Sequence, residues 1–249
     1  MKNKMTIMEV CGTHTMSIAR FGLRGLLPND INIISGPGCP VCVSSSSDIN
    51  NALMLADRDD VIITTFGDMI RIPCNDRMLM DYKNVKVLYD PLDSIDLAKN
   101  NKAKNIVFLG VGFETTTPIT ASVIIRANEL GLDNFTVLCM NKIVPPALEL
   151  ILKDKENNID GFILPGHVAA ITGSSYFDFI TELSGRGVIS GFDPKGIMDS
   201  IEKISLMITN NEFGVINNYM GIVKSNGNEK AKDIVKEVFD IVDSEWRGI

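Results

Sequence analysis

The sequence predicts an α/β protein whose strands form parallel sheets flanked by helices. Three observations carry that prediction. Short strand-like runs alternate with helical periodicity along most of the 249 residues. The runs are apolar throughout, as in strands covered on both faces, and do not alternate apolar with polar. Residues able to do chemistry, namely Cys11, Cys39, Cys42, Asp68, Glu114 and His167, follow the ends of these runs, where open α/β sheets bind ligands.

The elements follow in order. Residues 5–10 read as a buried strand ending at Cys11-Gly12. Residues 13–15 can cap a helix with Met16, Ala19, Leu23 and Leu26 at helical spacing, and Pro28 stops it. Residues 31–34 are a second strand, running into Gly36-Pro37-Gly38-Cys39-Pro40-Val41-Cys42. A helix starts within 44–48 and turns Ile49, Leu53 and Ala56 to one face. Strands are expected over 61–65 and 85–89, with a helix over 93–100. Residues 106–109 form a strand that ends in Gly110-Val111-Gly112-Phe113-Glu114-Thr115-Thr116-Thr117-Pro118. Pro118 suits a first helical turn, and Gly131 stops that helix. A strand over 135–139, a helix opened by Pro145-Pro146 and a strand over 161–164 lead to Pro165-Gly166-His167. A helix over 176–183 and a strand over 188–190 end at Gly191-Phe192-Asp193-Pro194. Amphipathic helices are expected over 193–210 and 229–244.

These elements divide into two Rossmann-like units, residues 5–92 with the cysteine motifs and 93–192 with Glu114 and His167, facing a cleft. A helical tail over 193–249 forms an incomplete third subdomain.

The composition is globular, 45% hydrophobic and 22% charged. A net charge of -7 argues against nucleic acid or an anionic membrane as the main partner. The polar start at Met1 to Lys4 is unlike a signal peptide, and no apolar run approaches the ~20 residues that span a bilayer. A cytoplasmic location is expected. Thiols stay reduced there, so five cysteines favour metal or redox chemistry over disulfides.

Cys39 and Cys42 form a Cys-x-x-Cys. It reads either as a redox dithiol or as half of a metal site. Cys11 and His14 could complete four zinc ligands with it. Cys11 at a helix start is well placed for a thiolate. The only two histidines, His14 and His167, both lie in strand-end loops. Residues 110–118 do not complete Gly-x-Gly-x-x-Gly, because Thr115 stands at the last glycine, and no Walker lysine follows. Cys74 reads as a surface or packing residue and Cys139 as core.

The motifs together are more specific. Met8-Glu9-Val10-Cys11-Gly12-Thr13-His14-Thr15, the 36–42 loop, Thr65-Phe66-Gly67-Asp68, Gly112-Phe113-Glu114-Thr115-Thr116 and Pro165-Gly166-His167-Val168 occur in one order. Ser225-Asn226-Gly227-Asn228 and Trp246-Arg247-Gly248 follow. This order resembles the HypD family of NiFe-hydrogenase maturation factors. The resemblance implies a scaffold on which an iron carrying two cyanides and one carbon monoxide, Fe(CN)2CO, is assembled. It implies a small HypC-type partner and a HypE-type cyanide donor. It places iron between a HypC thiolate and Cys11, and gives Cys39 and Cys42 a thiol-redox or ligand role. His14, Glu114 and His167 match motif residues near the same cleft. Thr13, Thr115 and Thr116 are candidates to contact the bound ligands. Stand-alone dithiol oxidoreductase and zinc-stabilised interaction module remain the other readings. Family members carry further cysteines for a 4Fe-4S cluster beyond the Trp-Arg-Gly stretch. Here the chain stops at Ile249 with no cysteine after Cys139, so either a fragment or a C-terminally shortened form without those ligands is expected. Asn141 stands where the resemblance implies a histidine.

Overall fold

A computed structural model describes residues 4–154 and 156–248. Met1 to Asn3, part of the polar start, and Ile249 lie outside the described residues. The strands are β1 (Met5–Glu9), β2 (Ile31–Ser35), β3 (Val61–Thr65), β4 (Val85–Val87), β5 (Asn105–Gly110), β6 (Phe135–Cys139), β7 (Gly161–Pro165), β8 (Arg186–Ser190) and β9 (Gly214–Asn217). The helices are α1 (Gly12–Arg20), α2 (Ser46–Ala56), α3 (Asp93–Asn100), α4 (Thr117–Glu129), α5 (Val144–Lys153), α6 (Gly166–Thr172), α7 (Phe179–Glu182), α8 (Pro194–Thr209) and α9 (Glu229–Val238).

The strands form two parallel sheets, as the apolar runs predict. One has five strands in the order β2-β1-β7-β8-β9, and the other has four in the order β4-β3-β5-β6. The chain divides into two compact units. The first takes in the chain up to Cys39 together with Ile143–Glu229, and the second takes in Pro40–Lys142 together with the chain from Lys230.

This is not the contiguous division expected at residue 92. Two segments distant in sequence share the first sheet, because β1 pairs with β7 in the register Ile7 to Gly161. The alternation of strands and helices shows that neighbours are parallel. It does not show which sheet each strand joins, since fully buried strands carry similar apolar runs. The tail also differs from the expected helical segment. Residues 214–217 form β9 on the edge of the first sheet. The last helix stops at Val238, and residues 239–246 are irregular.

In the first unit, Ile7, Ile33, Ile163 and Val188 meet Ile18 of α1 and Ile197, Ile201, Ile204 and Met207 of α8. The inward residues of the α1 region are His14, Ile18 and Leu23. The expected Met16 and Leu26 are 70% and 67% exposed. The face differs because His14 takes an inward position that an apolar residue would ordinarily hold. In the second unit the two faces of β5 divide by the strand's period of two. Val107 and Leu109 pack with Ile49, Leu53 and Ala56 of α2. Ile106 and Phe108 pack with Ile95 and Ala98 of α3 and Val123 and Ala127 of α4. Burying each such side chain contributes ~1.5–3 kcal/mol, which is what draws helices onto both faces. Cys139, expected in the core, is exposed at the end of edge strand β6.

Two close backbone approaches shape the first unit. A Cβ at Gly38 would lie 2.3 Å from the Cys11 nitrogen and 2.5 Å from the Val10 carbonyl carbon. The Gly12 N–H donates to the Gly38 carbonyl at 3.1 Å. Further along, Gly173 and Gly227 sit back to back with φ of +98° and +68°. The Ser225-Asn226-Gly227-Asn228 motif therefore docks the chain after β9 onto the end of α6, helped by the Asn228 N–H to Ile171 carbonyl bond at 2.9 Å.

Gly38→Ala should destabilise the first unit by about 1–3 kcal/mol or more, because the new methyl meets backbone that cannot yield. Gly25→Ala, with nothing within 4 Å of its Cβ, serves as the control. It should change stability by less than about 1 kcal/mol in the same urea denaturation series.

Candidate functional site

In the first sheet the connections diverge between β1 and β7. From β1 the chain crosses through α1 to β2 on one side, and from β7 it crosses to β8 on the other. Such a switch point is where open parallel sheets take ligands, at the carboxyl ends of the strands. Cys11 leaves β1 there, and His167 leaves β7. Cys39 leaves the loop after β2, next to Gly38, whose backbone lies against Cys11.

Cys11 is the N-cap residue of α1, with extended backbone at φ -152° and ψ 124°. Its sulfur is half-buried. The backbone N–H groups of Thr13 and His14 and the Thr13 hydroxyl face it and favour the thiolate, without closing a side-chain cap. Burial outweighs them and pushes the thiol above its ordinary value, and the Glu9 charge adds to the shift. The helix start alone would have implied the opposite sign.

His14 is fully buried. Its Nε2–H donates to the Gly191 carbonyl at 3.0 Å, which fixes the tautomer and leaves Nδ1 as an acceptor. That Nδ1 is buried without a hydrogen-bond partner. Phe192 lies between the two imidazoles. Its ring centroid is 4.6 Å from His14 and 3.9 Å from His167, with near-parallel planes at 27° and 29°. Three strand-end loops of one sheet thus converge in one stack. Burial holds the His14 pKa down to about 4 and lowers that of the more exposed His167 as well.

The second unit has its own switch point, between β3 and β5. Thr65 is buried at the end of β3, and Glu114 is buried after β5. Thr115 is exposed and Thr116 half-buried at the start of α4, and Pro118 occupies the first turn as expected. A Cβ on Gly112 would lie 2.3 Å from the Thr116 Cβ, so this loop is closed tightly onto the helix start. The chain end lies over the same edge. Trp246 stacks on Phe113 at 5.8 Å, and the Arg247 N–H donates to the Val43 carbonyl at 2.9 Å. Lys142, with only 1% of its side chain exposed, reaches the Ser244 hydroxyl at 2.5 Å and Asp48 at 3.5 Å.

The structure therefore gathers Cys11, His14, Cys39 and His167 at one sheet edge of the first unit. Glu114, Thr115 and Thr116 lie at the corresponding edge of the second. The boundary between the units falls within the dithiol stretch, so Cys39 belongs to the first and Cys42 to the second. Among the described residues no three His, Cys, Asp or Glu side chains form a group able to hold a metal ion. Three residues were not singled out from the sequence. Glu9 had a visible signal, a carboxylate inside an apolar strand two residues from Cys11. Phe192 was visible only as part of a strand-end turn, and nothing in the local pattern marked Lys142 as buried.

The neutral state of His14 has a consequence for stability. Between about pH 6.5 and 4 the unfolded chain binds a proton at this position and the folded chain does not. Stability should therefore be full above pH 6.5 and fall as the pH drops to 4, by up to about 3 kcal/mol. NMR titration of the imidazole should report a pKa near 4, and His14→Gln should flatten this part of the stability profile.

Comparison with known proteins adds the family. No helix among the described residues is long and apolar enough to cross a membrane. A family model described as HypD, hydrogenase formation hypA family, matches residues 1–249. The hydrogenase maturation factor HypD of Rhodobacter capsulatus is 39% identical over 249 residues, covering 98% of this chain and 66% of that protein. The hydrogenase expression/formation protein HupD of Azotobacter chroococcum is 39% identical, covering 98% and 67%. HypD of Escherichia coli K12 is 37% identical, also covering 98% and 67%. The chain spans about two thirds of the length of these relatives. With the whole sequence matched and the motifs at the carboxyl edges of both sheets, the chain belongs to the HypD family.

Proposed function

We propose that this chain is a cytoplasmic hydrogenase-maturation scaffold that binds iron and supports assembly of the Fe(CN)2CO unit of NiFe hydrogenase. Its partners are a HypC-type protein, which supplies a second thiolate, and a HypE-type cyanide donor. The observation that carries the reading is the placing of Cys11. It stands at the switch point of the first sheet, braced by the Gly38 backbone, beside the His14, Phe192 and His167 stack.

Iron bearing cyanide and carbon monoxide is the cargo. Thiolate is the soft donor a protein offers such a metal, which assigns Cys11 as the iron ligand. Its raised pKa keeps the sulfur protonated until metal displaces the proton. Cys39 and Cys42 form the dithiol beside this site, in a thiol-redox or ligand role. His14 and His167 handle protons as neutral imidazoles. The hydroxyl of Thr13 donates a hydrogen bond to a cyanide nitrogen.

A resident 4Fe-4S cluster does not fit the residues of this chain. Such a cluster takes four cysteine ligands. Cys74 lies with its sulfur 3.7 Å from the Ser46 carbonyl, and Cys139 is exposed beside Asn141. No step is assigned to a cluster. The zinc-module reading lacks a matching donor set, since among the described residues no three His, Cys, Asp or Glu side chains form a group able to hold a metal ion.

Anaerobic co-purification with a HypC-type protein tests the proposal. The wild-type chain should retain iron, and Cys11→Ala should lower it by about tenfold or more, while Cys139→Ala should leave it unchanged. Equal iron in wild type and Cys11→Ala would overturn the reading.

A further inference from the structure

One buried ionisable group beside Cys11 has no part in the scheme above. Glu9, the last residue of β1, is 1% exposed. One carboxylate oxygen accepts the Cys11 backbone N–H at 3.1 Å, and the other accepts the Thr15 hydroxyl at 2.5 Å. The carboxylate therefore ties the end of β1 to the first turn of α1 and fixes the backbone from which the Cys11 sulfur projects. No lysine, arginine or histidine forms an ion pair with it among the described residues. A buried carboxylate with two donors and no cation is costly to maintain.

The brace does not need the charge. A glutamine could accept the Cys11 N–H with its amide oxygen and donate to Thr15 with its amide nitrogen. The Thr15 hydroxyl could then turn to the Cys11 carbonyl, which already lies 3.4 Å away. The negative charge calls for a separate explanation, and a cation at Cys11 supplies one. A ferrous ion on a single thiolate carries net positive charge, so a nearby carboxylate favours it. A second thiolate and two cyanides make the finished unit negative, and the same carboxylate then opposes it.

We infer that Glu9 is a positioning residue for the iron site: its carboxylate holds Cys11 in place, and its charge favours iron at the loading step, before cyanide is added. The inference rests on Cys11 being the iron ligand.

Two variants separate brace from charge, and two readouts separate this inference from the reading beneath it. Amide hydrogen exchange at Cys11, followed by NMR without metal, reports the brace. It should accelerate about tenfold or more in Glu9→Ala and stay near wild type in Glu9→Gln. Ferrous iron bound by the chain alone, before the HypC-type partner or any cyanide donor is added, reports the charge. It should fall about tenfold in both variants. A merely structural glutamate would predict full iron in Glu9→Gln, and that result would overturn the charge role. Unchanged Cys11 exchange in Glu9→Ala would overturn the brace. If Cys11→Ala retains iron like the wild type, the parent reading fails and the charge role falls with it, while the exchange result still decides the brace.

Discussion

The architecture of the first unit depends on one close contact, the Gly38 backbone against the backbone of Cys11. Only glycine lets the loop after β2 come this near to the end of β1. The approach is secured by the Gly12 N–H to Gly38 carbonyl bond, and it sets where α1 begins. From that start, His14 falls on the inward face of α1, where its Nε2–H meets the Gly191 carbonyl and its ring meets Phe192. The position of Cys11 and the order of the stacked rings are thus consequences of the same local geometry. A shift of the 36–42 loop would move the sulfur and the imidazole together.

Burial at this edge works against charge. It raises the Cys11 thiol and lowers both histidines, so the resting first-unit edge favours a neutral thiol and neutral imidazoles. Glu9 is the exception, a buried acid with no cationic partner among the described residues. An arrangement of neutral donors with one negative group suits a metal that arrives as a cation and displaces a proton from the thiol. At the edge of the second unit the chain end is held by aromatic stacking, a backbone hydrogen bond and the buried Lys142 ammonium. That anchoring explains structurally why Trp246 and Arg247 sit beside the Phe113 and Val43 loops.

Much of this was legible in the sequence. The strands over 61–65 and 135–139 and the helix over 93–100 were expected with the bounds the structure shows, because their apolar periods are short and end at clear turn residues. The strand-end placing of Cys11 and His167 was legible for the same reason. The pairing of β1 with β7 was not, since residues some 150 positions apart leave no local signal, and this hid the interleaving of the units. The inward side of α1 was misread because a histidine occupies a core position. Cys11 shows the limit of local rules for charge. Its helix-start position argues for a lowered thiol pKa, and only the folded environment shows that burial wins. Phe192 could not be recognised as the ring between two histidines until three loops were brought together.

The central claim is that Cys11, held at this sheet edge, carries iron during assembly of its diatomic ligands. Infrared spectroscopy of the chain purified with an intact HypC-type partner, after exposure to the cyanide-donating system, tests it most directly. The account predicts cyanide and carbonyl stretching bands in the wild-type complex and their loss in Cys11→Ala. Bands that persist unchanged in Cys11→Ala, or a wild-type complex with intact partner and no such bands, would contradict it.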